Sequence, residues 1–317
     1  MSLEVLPARL LNDSLISRVA AEPAVEQDVT ASYDGSNVMF RLLRLGSWGP
    51  GLMNLGYHKY RGALRFMNIG ANLERSQRRL VMKSIDLLNV QPQHQVLDLA
   101  CGRGKSSFIL QCLHPQATVR GVDLLDQHVQ VARTLFGQVQ NLTYAVGSAM
   151  ALDYPDASFD RVMCLEAAFH FPDRGEFLRE AFRVLRPGGR LIVVDFAWNS
   201  NADRGHLNDP ETRLVRKIWQ WDDLFSIPEY ELRAREVGFK VHSRHDWTQR
   251  VTHPIQGMFE YLSALGNTRW GQRFLHWKNP LYASLSCADW QSLAQVVRAH
   301  KHVQQFSKYM AFVFEKM

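Results

Sequence analysis

The feature that most constrains the fold is an apolar strand that runs into a glycine-containing turn and then into a helix. Residues 96–104 read VLDLACGRG. Glycines let the backbone approach a ligand closely, and the start of the following helix offers free N–H groups to an electronegative ligand. A dinucleotide site would place a third glycine three positions after Gly104, where this chain has Ser107. The missing glycine, together with Asp98 at the strand end, argues against an NAD site.

Strand and helix patterns alternate around this turn. The spacing of apolar residues predicts strands at 95–99, 118–122, 142–146, 161–165 and 190–195, and helices at 73–88, 106–113, 126–136 and 174–185. Strands separated by single helices imply a parallel sheet covered on both faces, because a parallel crossover needs an intervening helix. Later strands at 239–247 and 309–314 would complete a doubly wound, mostly parallel seven-stranded α/β sheet. The segment 253–303 between them is long for a connection and is predicted to be a helical insertion.

Composition excludes several classes of protein. No stretch approaches the roughly 18 consecutive apolar residues of a membrane span, and residues 1–28 lack the order of a signal peptide, so we expect a soluble cytoplasmic protein. The four cysteines are scattered, with neither a CxxC pair nor a metal-like cluster of His and Cys, so no disulfide framework and no metal site is expected. A net charge of +6 leaves nucleic acid or an anionic substrate open without requiring either.

Asp123 ends the second predicted strand, about twenty residues after the turn. A carboxylate in this position can accept both hydroxyl hydrogens of a ribose. An isolated acid at a strand end more often caps the next helix. In register with the glycine turn, the ribose interpretation is favoured.

Three further segments follow in order. Residues 147–160 read GSAMALDYPDASFD, residues 164–173 read CLEAAFHFPD, and residues 182–191 read FRVLRPGGRL. With the turn and Asp123, this series resembles the class I S-adenosylmethionine-dependent methyltransferases. Within them it resembles the small-molecule branch that includes natural-product, sterol and tocopherol methyltransferases, some of which act in secondary metabolite biosynthesis. The resemblance spans residues 96–195 and implies a Rossmann-like fold with S-adenosylmethionine as cofactor.

Carried over residue by residue, the resemblance implies a cofactor site. The methionine part would be surrounded by Asp98, Cys101, Gly102 and Gly104. Asp123 would hold the ribose, Leu124 would pack on the adenine, and the segment Ser148, Ala149 and Met150 would line it. Many relatives have an Asp at the place of Ser148, so the hydrogen bond to the adenine amino group is in doubt. The loop beneath the sulfonium would begin with Leu165 and Glu166.

His170 matters most for mechanism, because it follows the fourth strand at the sheet edge where ligands of doubly wound folds bind. A neutral imidazole is the usual side chain for removing a proton near pH 7, and in this branch the matching histidine is often the base. The alternative is that His170 packs between Phe169 and Phe171 with its nitrogens bonded to backbone. Asp173 is expected to cap the helix that follows.

The chain divides into three zones that differ in composition and in the periodicity of their apolar residues. Residues 1–72 are predicted to form a lid and acceptor segment, residues 73–199 the cofactor-binding core, and residues 200–317 the acceptor-pocket helices and the end of the sheet. Tyr33-Asp34 and residues 55–58 resemble segments that close over the cofactor and acceptor, so Tyr33 is counted as a cofactor contact. The candidate walls of the acceptor pocket are Trp219, Trp221, Phe225 and Tyr230, which core filling explains equally well.

Two functions within the enzyme class compete. The leading hypothesis is O-methylation of a small hydrophobic metabolite with His170 as base, and the alternative is C-methylation of an isoprenoid double bond, including that of a prenyl diphosphate. A diphosphate would be recognised by arginines, for which the candidates are Arg41, Arg44, Lys59, Arg61 and Arg65, although an exposed helix face explains them as well. RNA methylation is less favoured, because no RNA-binding module is recognisable, so no nucleic-acid partner is expected. A homo-oligomer is left open.

Overall fold

The computed structural model describes Leu42 and residues 52–59, 69–221 and 224–317, with side chains in the first helix described from Leu73 onward. Seven strands form one sheet. They are β1 (Gln95–Leu99), β2 (Thr118–Asp123), β3 (Leu142–Val146), β4 (Phe159–Leu165), β5 (Leu185–Trp198), β6 (Phe239–Asp246) and β7 (Ser307–Lys316). The strand order is β3-β2-β1-β4-β5-β7-β6, with β7 antiparallel to both of its neighbours and the other pairs parallel. The predicted doubly wound, mostly parallel sheet is confirmed.

Nine α-helices surround the sheet in the described part of the chain. They are α1 (Ile69–Leu88), α2 (Lys105–Leu113), α3 (Asp126–Phe136), α4 (Arg174–Val184), α5 (Pro210–Trp219), α6 (Ile227–Val237), α7 (Thr252–Gly266), α8 (Arg269–Lys278) and α9 (Cys287–Val303). The segment between β6 and β7 consists of α7, α8 and α9, as predicted for the insertion. The Asp173 carboxylate accepts a hydrogen bond from the Glu176 N–H at 2.9 Å and so caps α4, also as predicted.

The sheet is buried on both faces, which explains its nearly continuous apolar strands. On β1, Val96 belongs to the hydrophobic cluster on one face, whereas Leu97 and Leu99 belong to the cluster on the other. A third cluster around Phe169 and Trp198 joins the carboxyl ends of β4 and β5 to α5 and α9. The helical additions therefore pack over the edge of the sheet where the strand-end loops lie.

Among the described helices, none combines the length and apolar character needed to cross a membrane. All four cysteines are free, in agreement with their scattered positions. The division of the chain into three functional zones stays a prediction.

Candidate active site

The glycine turn is held in shape by the strand beside it. Ala100, Gly102 and Gly104 all have positive φ, at 52°, 56° and 80°. The Gly102 N–H donates to the Asp123 carboxylate at 2.8 Å, and the Cys101 N–H donates to the Val122 carbonyl at 3.0 Å. Because β1 and β2 are parallel neighbours, their carboxyl ends bring the turn and Asp123 together.

Gly102 and Gly104 are needed in the turn for different physical reasons. A Cβ on Gly102 would lie 2.8 Å from the Met53 side chain, at the rim of a large cleft. A Cβ on Gly104 would lie 2.7 Å from both Ala132 and Tyr144, on the core side of the turn. Gly104 was predicted to surround the ligand, but it is not among the residues that line the cleft. Close packing at the start of α2 accounts for a glycine at this position, and the contact of Gly104 with the ligand stays a prediction.

The cleft has a volume of about 1200 Å³, part of which is open to solvent, and lies at the carboxyl ends of β1, β2 and β4. It brings together most of the predicted site residues, namely Asp98, Cys101, Gly102, Asp123, Leu124, Ser148, Ala149, Met150, Leu165, Glu166 and His170. Leu124 is 62% exposed, which leaves an apolar surface for a flat ligand group. The Ser148 hydroxyl accepts from the Met150 N–H at 3.2 Å. Tyr33 lies outside the described residues.

Asp98 is a buried carboxylate at the base of the cleft. It accepts hydrogen bonds from the hydroxyls of Ser106 at 2.7 Å and Ser107 at 2.6 Å. Burial raises its pKa to about 6, although the two hydroxyls oppose this change. Ser107, which replaces the third glycine of a dinucleotide motif, therefore orients an acid of the cleft.

Asp123 combines the two roles considered for it. One carboxylate oxygen accepts from Gly102, while the other accepts from the Leu125 N–H at 3.0 Å and lies 3.2 Å from His128 Nδ1. The side chain thus organises the loop before α3 and also borders the cleft. Each carboxylate oxygen has two lone pairs, so these bonds leave capacity for ligand hydroxyls.

Glu166 connects the cleft to the N-terminal part of the chain. Its carboxylate accepts from the Leu55 N–H at 3.0 Å and 3.2 Å and from the Tyr309 hydroxyl. Burial raises its pKa to about 7, with both donors opposing the change. The sequence predicted the place of Glu166 in the cleft but not this attachment, because its partners lie 111 and 143 residues away.

Residues 52–59 form a strap across α1 and the edge of the cleft. The Gln77 amide donates to the carbonyls of Leu52 at 3.0 Å and Asn54 at 2.7 Å. A Cβ on Gly56 would lie 2.8 Å from the α1 backbone, so only glycine allows this approach. The predicted lid segment 55–58 is therefore fixed beside the cleft.

His170 lies in a short 3₁₀ turn after β4 and lines the same cleft. Its ring lies against Phe169, with ring centroids 4.1 Å apart, and its Nδ1 is 3.4 Å from the Gln220 carbonyl. Burial lowers its pKa to about 4, so the imidazole is neutral near pH 7. It is both packed, as in the alternative interpretation, and exposed to the cleft, as a base would require.

Comparisons with known proteins agree with this geometry. A family model described as a methyltransferase domain matches residues 97–193. The chain is 32% identical over 187 residues to 27-O-demethylrifamycin SV methyltransferase of Amycolatopsis mediterranei, a match that covers 56% of this chain and 66% of that protein. It is 41% identical over 163 residues to 2-methyl-6-phytyl-1,4-hydroquinone methyltransferase of Synechocystis sp., a match that covers 50% of each. The chain belongs to the class I S-adenosylmethionine-dependent methyltransferases.

The curated relatives are matched over about half to two thirds of their own length. Geranyl diphosphate C-methyltransferase from Streptomyces coelicolor A3(2) has the same fold, with a TM-score of 0.66 at 15% identity, covering 93% of this chain and all of that one. The cofactor of this methyltransferase is S-adenosylmethionine. The cleft fits it, because the acidic groups match the cationic sulfonium and ammonium and Leu124 offers an apolar surface for the adenine.

A second cavity of the methyltransferase adjoins the cleft and has a volume of about 710 Å³, part of which is open to solvent. Its walls come from β5, α5, α7 and α9 and are mostly apolar and aromatic, including Phe196, Trp219, Trp221 and Phe259. Among its polar side chains, Trp219 and His300 are paired, with the indole N–H donating to His300 Nε2 at 2.6 Å. Burial lowers the His300 pKa to about 4, so this histidine is also neutral.

Of the four aromatic residues for which a pocket wall and core filling were both open, two line the apolar cavity. Trp219 and Trp221 line the apolar cavity, but Phe225 and Tyr230 do not. Tyr230 is on the inner face of α6, fully buried, and its hydroxyl donates to Asp195 beneath the sheet edge. Phe225 packs against the Tyr230 ring at 5.2 Å. These two aromatic residues fill the core.

The structure also brings together a cluster that the sequence did not predict. His206, Asp209 and His302 lie within 4.8 Å of one another, measured between potential ligand atoms. His302 is 93 residues from Asp209, so no local spacing could have indicated it. The expectation that no such cluster exists is corrected.

Proposed function

We propose that this methyltransferase transfers a methyl group from S-adenosylmethionine to an oxygen of a small hydrophobic metabolite, with His170 as the general base. One observation carries the proposal. The consecutive residues Phe169 and His170 line two different chambers, since His170 borders the acidic cleft and Phe169 borders the apolar cavity. Leu55 lines the apolar cavity and is bonded through its N–H to Glu166 of the cleft. Donor and acceptor would therefore meet beside His170.

The cleft residues have separate roles in holding the cofactor, which supplies an activated methyl group when bound. Asp98 and Glu166 place negative charge where a cationic ligand is favoured over a neutral one. Because Gly102 has no side chain, the cofactor can approach the backbone of the turn closely. Asp123 accepts hydrogen bonds from ribose hydroxyls. Ligand binding would also lower the pKa values of the two buried acids, because a nearby positive charge favours the ionised form.

His170 has the protonation state that a base needs. Its Nδ1 faces the Gln220 carbonyl, which assigns the ring proton to Nδ1 and leaves the lone pair on Nε2. The imidazole is neutral at physiological pH, although the same lowered pKa makes it a weaker base than an ordinary histidine. An alcohol or phenol must lose its proton as its oxygen attacks the methyl carbon, and a positioned base removes it.

The rest of the catalytic effect is positioning and exclusion of water. A sulfonium is a good leaving group, so placing the acceptor oxygen in line with the methyl carbon lowers much of the barrier. The strap at residues 52–59, attached to the sheet by Glu166, borders both chambers. Its fixed position separates the junction from bulk water.

C-methylation of an isoprenoid remains the second candidate, and the aromatic faces of the cavity favour it. Trp219, Trp221 and Phe196 would stabilise the carbocation formed when a double bond takes up a methyl group. Of the predicted anion-binding residues, Lys59 is described and exposed, whereas the four arginines lie outside the described residues. Lys308 lines the cavity but lies 3.8 Å from Asp246.

The two candidates are separated by identifying the product. The enzyme is incubated with S-adenosylmethionine carrying a ¹³C-labelled methyl group and with extracts of the producing cell, and labelled metabolites are found by mass spectrometry. Nuclear magnetic resonance of the isolated product then shows whether the label is on oxygen or carbon. A label on oxygen supports the proposal, and a label on carbon supports the second candidate. Methylation of added RNA and of no metabolite would contradict both.

A further inference from the structure

The cluster of His206, Asp209 and His302 has the donor set of a transition-metal site. His206 Nδ1 and His302 Nε2 each lie 2.9 Å from the same Asp209 carboxylate oxygen. Two imidazoles and one carboxylate are ligands that zinc prefers, with water as the fourth. Tetrahedral bonds of about 2.1 Å would space neighbouring ligand atoms roughly 3.4 Å apart, so a shift of roughly half an ångström from the observed 2.9 Å would admit the ion. We propose that these three side chains bind a zinc ion.

Aromatic contacts position the two imidazoles of the cluster, and the Asp209 carboxylate faces them instead of the helix that Asp209 precedes. The His206 ring stacks on Phe306 at 3.5 Å and 17°, and Phe306 also contacts the His302 ring edge-on at 5.3 Å. Asp209 is the N-cap residue of α5, yet its side chain makes no capping hydrogen bond. An Asp at this position normally accepts from the first turn of the helix. Here its carboxylate faces the two imidazoles.

The zinc site would connect two walls of the apolar cavity. His206 and Asp209 precede α5, which contributes Val215 and Trp219 to the cavity, and His302 is in the last turn of α9, which contributes His300 and Val303. None of the three ligands lines the cofactor cleft or the cavity. The ion therefore has a structural role in this enzyme.

The test uses untagged protein treated with a chelator and then dialysed. Zinc affinity is measured by competition with a chromophoric chelator, and cobalt is added separately for its absorption spectrum. One zinc per chain is expected, bound at least about tenfold more weakly by His206→Ala and His302→Ala and unchanged in His242→Ala, an exposed histidine on β6. Asp209→Asn, which keeps the shape of the side chain, should also weaken binding. Zinc affinity that is absent, or equal in all four variants, overturns the proposal.

A second and independent observation concerns the outer face of α8. Trp270 is 80% exposed, Trp277 is 73% exposed, and Phe274 and Leu281 are also exposed. The spacing of four and three residues places Trp270, Phe274 and Trp277 in one stripe along the helix axis, and Leu281 follows in the short 3₁₀ helix after α8. Gly271 and Leu275 are buried on the opposite face, which packs on α7. Contiguous exposed apolar surface of this kind marks an interaction site.

Charge selects the partner of this aromatic stripe. The segment 269–281 reads RWGQRFLHWKNPL and contains Arg269, Arg273 and Lys278 but no acid. The Arg273 guanidinium lies over the Trp270 ring at 5.5 Å, and Lys278 Nζ lies over the Trp277 ring at 4.8 Å. Cations flanking indole rings are typical of surfaces that lie at the headgroup level of a membrane.

From this arrangement we infer that the aromatic stripe of α8 docks on an anionic lipid bilayer. The aromatic rings would enter the interface between headgroups and acyl chains, while the basic side chains would contact lipid phosphates. Both neighbouring helices, α7 and α9, supply walls of the apolar cavity. Docking would hold the insertion against the lipid bilayer, in which hydrophobic metabolites dissolve.

Binding is measured by co-sedimentation with vesicles of phosphatidylcholine, with and without phosphatidylglycerol. Binding is expected only to vesicles with phosphatidylglycerol and should weaken with salt. Trp270→Ser combined with Trp277→Ser should abolish it, Arg273→Gln should weaken it roughly fivefold, and Leu232→Ser, which removes an exposed leucine of α6, should leave it unchanged. No binding to anionic vesicles overturns the proposal. The proposal is also overturned if the protein self-associates, or binds RNA and not vesicles, and the double tryptophan variant loses that behaviour.

Discussion

The acidic cleft and the apolar cavity adjoin, but they are built from the chain in different ways. The cleft is formed by loops that directly follow β1, β2 and β4, all within residues 98–172 apart from the strap and α1. The cavity is formed by helices and strands from Leu55 to Lys308. The cleft is thus built mostly from residues close together in sequence, whereas the cavity depends on long-range packing.

Their chemistry differs in the same way. The cleft contains three carboxylates, of which Asp98 and Glu166 have raised pKa values because they are buried. In the cavity, the described polar pair Trp219 and His300 is neutral and mutually bonded. The first chamber favours a cation, and the second, apart from Lys308 in its wall, favours an apolar molecule. A variant in one chamber should therefore leave ligand affinity in the other unchanged.

The largest effect is expected for His170→Ala, at the junction of the two chambers. Positioned proton transfer contributes roughly 10²–10⁴-fold, so turnover should fall by that factor while the affinity for S-adenosylmethionine stays nearly the same. Turnover is measured with the identified acceptor, and cofactor affinity by calorimetry. A variant that keeps more than about a third of the wild-type rate would leave His170 as a packing residue, because base catalysis is worth far more.

The pH dependence sharpens this prediction. The pKa of His170 is lowered to about 4, so its neutral form persists through the range where an ordinary histidine would become protonated. Loss of turnover due to His170 should therefore begin only near pH 4 to 5, provided that the cofactor is saturating. A midpoint near the ordinary histidine value of 6.5 would contradict the buried, neutral state of this base.

Glu166 should make the stability of the cofactor-free enzyme depend on pH. Its folded pKa is raised from 4.5 to about 7, so the folded protein keeps a proton that the unfolded chain has lost. Its contribution is fully present below pH 4.5 and is lost as the pH rises through 7, amounting to about 3 kcal/mol at most. Urea unfolding from pH 5 to pH 8 should show that the free energy of unfolding falls less steeply with pH in Glu166→Gln than in the wild type. In Glu236→Gln, an exposed residue of α6, the slope should equal that of the wild type.

Asp123→Ala should weaken cofactor binding without changing the apolar cavity. Loss of charge-assisted hydrogen bonds costs roughly 1.5–3 kcal/mol each at most, which calorimetry with S-adenosylmethionine and its demethylated product will measure. Asp123→Asn keeps one of the two acceptor oxygens and therefore one of the two backbone contacts, so its cofactor affinity should lie between those of the wild type and Asp123→Ala. Asp153→Asn, an exposed acid shortly after the cleft segment 148–150, is the control. Absence of heat with either ligand in the wild type, or stronger binding of NAD, would refute the assignment of the cleft.

The same comparison explains what the sequence could predict. The strand-turn-helix at residues 96–104 and Asp123 lie where sheet topology must bring them together, so the cleft followed from pattern and resemblance. For Gly104, pattern alone does not show which side of the turn a missing Cβ faces. For Tyr230, the sequence left a pocket wall and core filling open, because a buried aromatic residue and a pocket aromatic residue have the same helical spacing. The attachment of Glu166 to Leu55 and Tyr309 depends on packing across the whole chain.

A smaller effect is expected for Trp219→Phe in the apolar cavity. The change keeps an aromatic wall but leaves His300 Nε2 without the indole N–H, while His300 Nδ1 still donates to the Val296 carbonyl at 2.8 Å. An unpaired buried acceptor costs about 1–3 kcal/mol, so thermal stability should fall and the KM for the acceptor should rise. Cofactor affinity should stay unchanged. Trp270→Phe on the exposed face of α8 is the matched control, and a cofactor defect in Trp219→Phe would show that the chambers are not independent.

The smallest expected effect is that of metal removal on kcat. Transfer from a sulfonium needs no Lewis acid, and the His206, Asp209 and His302 cluster borders neither chamber, so chelation should leave kcat with the identified acceptor unchanged. If the cluster holds zinc, its loss would change thermal stability, and it could raise the KM for the acceptor through α5 and α9. Turnover at saturating substrates is compared in EDTA, in added zinc and in added magnesium. A fall in kcat that magnesium restores would show that an acceptor phosphate or a further carboxylate site takes part in the reaction, and it would move the balance from O-methylation toward the prenyl diphosphate alternative.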